Sequence, residues 1–422
     1  MPKPRRMHCI AAGFVVYYIS LVTLLNVVLR YCCEPDKTVV PARKGKKIMK
    51  YRMVAPCYFG CEAATAFDVR SIGAEDVQVT DGRVAFTGDE MVLARANLRI
   101  RSAERVLVLL KTWKVTTFDE LFDGVASIAW EELMPAEAEF PVKGSSLSST
   151  LSSVPACQSI VKKAVVERLK KGHHVTTLPE NGNLYKIRFS IRKDIAEIFL
   201  DTSGEGLHKR GYRRNSTLAP IKETLAATII DVAHLRFDSL VVDPFCGSGT
   251  ILIEAAMKAM HMAPGLRRTF LAEHYDFIPA SVWREARAQE LAQVRSDVSF
   301  RGVGFDIDPE AVAIANRNAK LAGVADKVQF FVADVKDFEP AGNAVVITNT
   351  PYGERLGDAA QAAALEKVLG QRLADNPVQS AFIITSDADF EQNFGRRADK
   401  RRKLYNGMLP CQLYMYFAKK GK

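Results

Sequence analysis

The sequence predicts an α/β protein: a doubly wound, mostly parallel sheet in the C-terminal half, preceded by a smaller α+β region. Three observations carry this. After Leu200, strand-like and helix-like segments alternate for about 200 residues, as in parallel sheets covered on both faces. Three of those strand-like segments end on an acidic residue, and one runs into a glycine-rich turn. Before Leu200 the order is irregular, with a hairpin and isolated helices.

In the first region, residues 50–57 predict a strand and Gly60–Ile72 an amphipathic helix. Val77–Val79 and Arg83–Phe86 flank Asp81-Gly82, a favoured two-residue hairpin turn. Asp89 caps a helix running to Leu98, and Val106–Val115 is a strand. Phe118–Ala129 is helical, Phe140–Gly144 a strand, and the Ser-rich Ser145–Ser153 a loop. Ala156–Lys171 turns Ile160, Ala164, Val165 and Leu169 inward and its lysines outward. Strands Tyr185–Ile191 and Ile195–Leu200 close the region.

In the second region the predicted helices are Leu225–Ala233, Ile251–Met260, Pro309–Leu321 and Ala359–Leu373. The strands are Leu240–Val242, Gly302–Phe305, Val328–Val332, Ala344–Thr348, Ser380–Thr385 and Leu413–Phe417. Residues 263–300 are an insertion between the first two of these strands.

Composition excludes several classes. Hydrophobic residues are 48% and charged residues 25% of 422, which is globular and allows two to four domains. The net charge of +10 comes mostly from residues 1–50, with 10 basic and 2 acidic residues; the remainder is nearly balanced, at 48 and 46. Contact with nucleic acid therefore needs local patches. Residues 161–215 hold 13 basic and 6 acidic residues, and 396–422 hold 9 basic residues against Asp399. The eight cysteines form no CxxC pair and no Cys/His spacing, so neither a disulfide framework nor a metal site is expected, and a cytoplasmic compartment fits.

Residues 1–48 form a separate leader. Cys9–Leu29 is uncharged for 21 residues, between basic flanks. Three readings stay open: a start codon assigned upstream of a true one near Met49 or Met53, a membrane anchor holding the body in the cytoplasm, or a soluble helix. Contact with a membrane is expected only if this segment is an anchor.

The sharpest motif is Asp243-Pro244-Phe245-Cys246-Gly247-Ser248-Gly249-Thr250, between a strand and a helix. Its glycines let the backbone approach a ligand at the carboxyl edge of the sheet. No Lys follows the second Gly, so it is not a phosphate-binding Walker loop, and a third Gly for a dinucleotide fingerprint is missing. An acid at the strand end can instead hold an amino group, as in the methionine part of S-adenosylmethionine. Asp306 ends the next strand, where a carboxylate can accept ribose hydroxyls. Asp334 follows the third, within reach of an adenine amino group.

The fourth strand runs into Asn349-Thr350-Pro351-Tyr352. This order suits methylation of an exocyclic amine, whose lone pair is delocalised into its ring. The Asn349 amide oxygen and the Thr350 backbone carbonyl can accept the two amine hydrogens and localise that pair. Tyr352 offers a stacking face for an extruded base. Thr350→Pro is expected to be tolerated, since the carbonyl belongs to the backbone. The segment before the catalytic region offers Lys162, Lys163, Lys170, Lys171, Lys209, Arg210 and Arg213 to phosphates, with Arg355 beside the tetrad.

With these residues in place, the sequence resembles the THUMP-containing guanine-N2 RNA methyltransferases. The likeness lies in YRMVAPCYFGCE (51–62), DTSGEGLHKRGYR (201–213), APIKETLA (219–226), the 243–250 loop, GFDIDPEAV (304–312) and NTPYGERLG (349–357), and spans about residues 50–418. It implies a ferredoxin-like segment over 49–110, an RNA-holding THUMP domain over 111–203, and a Rossmann-like class I methyltransferase domain over 204–422. It also implies S-adenosylmethionine as cofactor, no metal, and an RNA substrate: large-subunit ribosomal RNA first, transfer RNA as the alternative. The family's usual tetrad is Asn-Pro-Pro-Tyr, and Thr350 departs from it. A reading from another class is a non-catalytic, membrane-tethered RNA-binding protein.

Overall fold

The computed structural model describes residues 50–213, 221–351 and 359–418, so the leader, Tyr352 and Arg355 lie outside the described residues. The first region comprises β1 (Tyr51–Pro56), α1 (Glu62–Ser71), β2 (Glu75–Thr80), β3 (Arg83–Gly88), α2 (Glu90–Arg99), β4 (Leu107–Lys114), α3 (Phe118–Ala126), β5 (Val142–Leu147), α4 (Val154–His173), β6 (Ile187–Arg192) and β7 (Ile195–Asp201). Its strands form one sheet in the order β2-β3-β1-β4-β7-β6-β5. Strand β4 pairs with β1 on one side and β7 on the other, so the division expected at 110/111 falls inside a shared strand.

Local chemistry sets these elements. Gly82 takes φ +74° in the β2–β3 turn, where a left-handed residue is needed. Asp89 accepts from the Val92 N–H at 2.9 Å and starts α2. Thr117 and Glu120 cap α3 reciprocally. Strand β5 runs on to Leu147, into residues expected to be loop, because it pairs residue for residue with β6 through Leu147↔Arg192. Pairing across the sheet outweighs the poor strand propensity of serine.

The second region comprises α5 (Glu223–Val232), β8 (Leu240–Asp243), α6 (Thr250–Ala259), α7 (Ala280–Ala292), β9 (Arg301–Asp306), α8 (Pro309–Ala322), β10 (Val328–Val332), β11 (Val345–Asn349), α9 (Ala359–Asp375), β12 (Ser380–Thr385), α10 (Phe390–Phe394), β13 (Lys400–Asn406) and β14 (Leu409–Phe417). The sheet order is β10-β9-β8-β11-β12-β14-β13. The first five strands are parallel and the last two antiparallel additions. Strand order reverses between β8 and β11, which opens a crevice at their carboxyl ends.

Three elements escape sequence reading: α7, α10 and β13. Helix α7 lies in the insertion and docks on α2, where Arg95 and Arg99 reach the fully buried Glu290 at 2.9 and 2.6 Å. Strand β13 is a run of basic residues whose partner, β14, follows one tight turn later.

The two regions meet across a buried polar contact. Arg210 lies 2% exposed; its guanidinium donates to Glu254 at 3.2 Å and to the Arg101 carbonyl at 2.6 Å. Tyr212 donates to the same Glu254 at 3.2 Å. Arg210 is expected to face phosphates; instead it is buried in a structural ion pair, its desolvation offset by Glu254 and by the Leu207 and Arg101 carbonyls. Arg213 is likewise committed, to Glu223 at 3.1 Å and the Thr250 hydroxyl at 3.0 Å. Among the described residues no helix is long and apolar enough to cross a membrane.

Candidate active site

A cavity of about 300 Å³ opens at the crevice, in the size range of small-molecule sites. Its walls include Pro244, Phe245 and Gly247 from the loop after β8, Asp306 and Asp308 from the end of β9, Asp334 after β10, and Asn349 and Pro351 after β11. Four strand ends thus contribute to one space, as the spacing of the motifs predicts.

Asp306 organises the loop as well as facing the cavity. Its Oδ2 accepts from the Gly247 N–H at 2.8 Å and its Oδ1 from the Asp308 N–H at 3.0 Å. Each carboxylate oxygen keeps a further lone pair for a ligand hydroxyl. Gly249, with φ +80°, has no room for a side chain: a Cβ there would lie 2.8 Å from Phe330 Cζ and 3.1 Å from Ala315 Cβ. The close packing brings the loop down on α8, where Asn318 donates to the Ser248 carbonyl at 3.0 Å. Asp334 accepts from the Lys336 N–H at 2.9 Å and is held facing the crevice.

Asp243 sits elsewhere. It is 1% exposed and not among the described residues lining the cavity. Its Oδ1 accepts from the Thr348 hydroxyl at 2.6 Å and the Phe245 N–H at 3.1 Å, so it braces the loop against β11 from below. Cys246, Ser248, Gly249 and Thr250 likewise shape the turn without lining the cavity. Burial, with Asp243 and Asp306 adding negative charge, pushes the Cys246 thiol well above its ordinary value, so it stays protonated and unsuited to nucleophilic chemistry. Among the described residues no cluster of His, Cys, Asp or Glu can hold a metal ion.

Asn349 ends β11, 5% exposed, and its amide oxygen is buried without a hydrogen-bond partner among the described residues. Such an acceptor costs about 1–3 kcal/mol unless a ligand satisfies it. The next residue, Thr350, is fully buried, and its N–H donates to the Ile384 carbonyl at 3.3 Å. Thr350→Pro would lose that bond, which corrects the expectation that it is harmless. The Thr350 hydroxyl is also buried without a partner among the described residues.

Of the lysines expected to face RNA, Lys163, Lys171 and Lys209 are exposed and Lys170 is half-buried, while Lys162 is tied to Glu180 at 2.6 Å. Sequence reading missed Thr348 and Asp308. Asp308 lies two residues after a recognised acid, but nothing in the sequence pairs Thr348 with Asp243, 105 residues away.

Three family profiles match in order: the RlmL ferredoxin-like domain over residues 52–107, the THUMP domain over 115–201 and the RMKL-like methyltransferase domain over 210–415. YpsC of Bacillus subtilis (strain 168), provisionally named an RNA methyltransferase, is 43% identical over 88% of this chain and 97% of its own length. SMU.472, provisionally named a methyltransferase and crystallised with SAH, superposes with a TM-score of 0.83 at 41% identity, covering 88–90% of this chain as does a protein from Listeria monocytogenes (TM-score 0.83, 41%) provisionally named an N6-adenine-specific DNA methylase. They cover 100% and 97% of those two chains. TrmN from Thermus thermophilus, at 17% identity and a TM-score of 0.61, shares the fold. The chain belongs to the THUMP-containing, RlmL-like RNA methyltransferases, with S-adenosylmethionine as cofactor.

Proposed function

We propose that this protein methylates the exocyclic N2 amine of a guanine in RNA, with large-subunit ribosomal RNA as substrate and transfer RNA as the alternative. The observation that supports it is the buried Asn349 oxygen bordering the cofactor cavity, which has no hydrogen-bond partner among the described residues. The regions follow as ferredoxin-like (49–110), THUMP (111–203) and methyltransferase (204–422), acting in the cytoplasm.

When bound, S-adenosylmethionine supplies an electrophilic methyl group on a sulfonium. The Asp306 carboxylate would take the ribose hydroxyls and Asp334 the adenine amine, both lining the cavity. Asp243 acts through the loop it braces. The Asn349 Oδ1 and the Thr350 carbonyl accept the two hydrogens of the target amine, which aims its lone pair at the methyl carbon. Methyl transfer to that nitrogen would leave sulfur with the electron pair of the carbon–sulfur bond, and the amine would give up a proton to solvent. Tyr352 stacks on the base, and Arg355 with the exposed lysines holds the backbone.

The Listeria relative's name points to adenine in DNA, also an exocyclic amine. The THUMP region favours RNA here. Mass spectrometry of nucleosides from ribosomal RNA, transfer RNA and DNA of a deletion strain decides: loss of N2-methylguanosine from one RNA pool supports the proposal, and loss of methyladenine from DNA with intact RNA overturns it.

A further inference from the structure

The basic run at 396–403 has no part in the site above, yet the sheet carries it to the same edge. Asn349 pairs with Ile384, Ile384 with Leu413, and Leu413 with Arg402. Arg402 therefore lies level with Asn349, three strand spacings or about 14 Å away. Strand β13 runs parallel to β12, so the residues after Arg402 rise above the carboxyl edge. Tyr405 stands about 10 Å beyond the level of Asn349. The hairpin tip that follows carries Met408, 96% exposed, and Leu409.

The first region meets this hairpin. Gly60, with φ +90°, sits against the β13 backbone so closely that a Cβ would lie 2.7 Å from the Lys403 carbonyl. Glu62 accepts from the Gly60 and Gly82 N–H groups at 2.8 and 3.1 Å and fixes the β1–α1 loop. The loop thereby presents Phe59, 53% exposed, 6.2 Å from Tyr405 between ring centres. Its neighbour Tyr58 accepts a hydrogen bond from Lys222.

Lys and Arg on an edge strand ordinarily serve to block aggregation. That role does not account for exposed Phe59 and Met408 beside them. Arg396 is tied to Asp399 and Arg401 to Glu391, whereas Arg402 and Lys403 enter no ion pair among the described residues. Lys403 lies over the Tyr405 ring, 5.6 Å from its centre, so a partly exposed aromatic pair with cations outside any ion pair among the described residues stands at this edge, the kind of surface that binds unpaired nucleotides.

We propose that the β13–β14 hairpin and the β1–α1 loop form a second RNA contact, in which Phe59 stacks on an unpaired base flanking the target while Arg402 and Lys403 hold its phosphates. This rests on the reading of the chain as an RNA methyltransferase. At about 17 Å from Asn349, combining about 14 Å across and about 10 Å along the strands, the contact lies on the order of three to five nucleotides from the target, depending on how the strand is stacked.

The test uses the full chain, a fluorescent 12-nucleotide single-stranded oligouridylate, and anisotropy titrations at several salt concentrations, with S-adenosylmethionine affinity measured alongside. Phe59→Ala should weaken RNA binding roughly five- to a hundredfold, and Phe59→Trp should restore it. Arg402→Glu with Lys403→Glu should lower the salt slope by about 1.4. Cofactor affinity should be unchanged in all three, which shows that they fold. RNA affinity and slope equal to wild type in cofactor-competent variants would overturn the second contact alone. Failure of the wild type to bind RNA while binding cofactor would overturn the underlying reading as well. Variants that keep RNA affinity but lose methylation of ribosomal RNA would assign the surface to a protein partner and overturn the proposal.

Discussion

Replacing Thr348 by Val tests whether Asp243 organises the cofactor loop. The change keeps the shape of a fully buried side chain and deletes the hydroxyl that donates to Asp243 Oδ1 at 2.6 Å. A hydrogen bond to a charged group contributes about 1.5–3 kcal/mol, and both partners here are shielded from water. Asp243 keeps the Phe245 N–H at 3.1 Å, so the loop should loosen without collapsing. We expect stability to fall by roughly 2 kcal/mol and S-adenosylmethionine affinity by about tenfold, equivalent to about 1.4 kcal/mol. Thr348→Ser restores the donor and should recover most of the affinity, losing only a buried methyl worth about 1 kcal/mol of stability. Urea denaturation and calorimetry read the two quantities. A Thr348→Val protein with wild-type stability and affinity would refute the bracing role of Asp243.

Further outcomes follow from other contacts. Arg210→Met leaves Glu254 buried with fewer partners and should destabilise by about 3–5 kcal/mol in thermal denaturation, whereas a phosphate ligand would have altered RNA binding without that loss. Reversing Lys163, Lys170, Lys171 and Lys209 together should lower the salt slope of RNA binding by about 3, leaving cofactor binding intact. Burial, aided by Asp387 and opposed by the Asn393 and Thr385 donors, pushes the Glu366 carboxyl up to about 7. The unfolded chain ionises this group first, so stability should fall as pH rises from about 5 to 7 and level off above, by on the order of 2 kcal/mol. Glu366→Gln should remove that slope in denaturation series between pH 5 and 8.

The parallel half of the second sheet is legible because its strands carry local signals: an apolar run in each, an acid at the end of three of them, and helical periodicity in the segments between. The walls of the cavity follow, since strand ends at a switch point converge. What was illegible depends on distant partners. Strand β13 reads as a charged tail until β14 is laid beside it. Arg210 reads as a surface charge because Glu254, 44 residues on, is an ordinary helix residue in sequence. Asp243 and Asp306 look alike as strand-end acids, yet one braces β11 and the other faces the cavity. The continuity of the first sheet through β4 was hidden for the same reason: a strand's second neighbour leaves no local mark.

Single-turnover methylation of the cognate RNA by Asn349→Ala tests the chemistry most directly. The substitution removes the buried acceptor at the end of β11 and touches none of the hydrogen bonds that shape the cofactor loop. The expected result is a rate at least about a hundredfold lower, with S-adenosylmethionine affinity near that of the wild type and N2-methylguanosine as the wild-type product. A variant that keeps most of the rate, or a wild-type product methylated elsewhere than an exocyclic amine, would contradict the account.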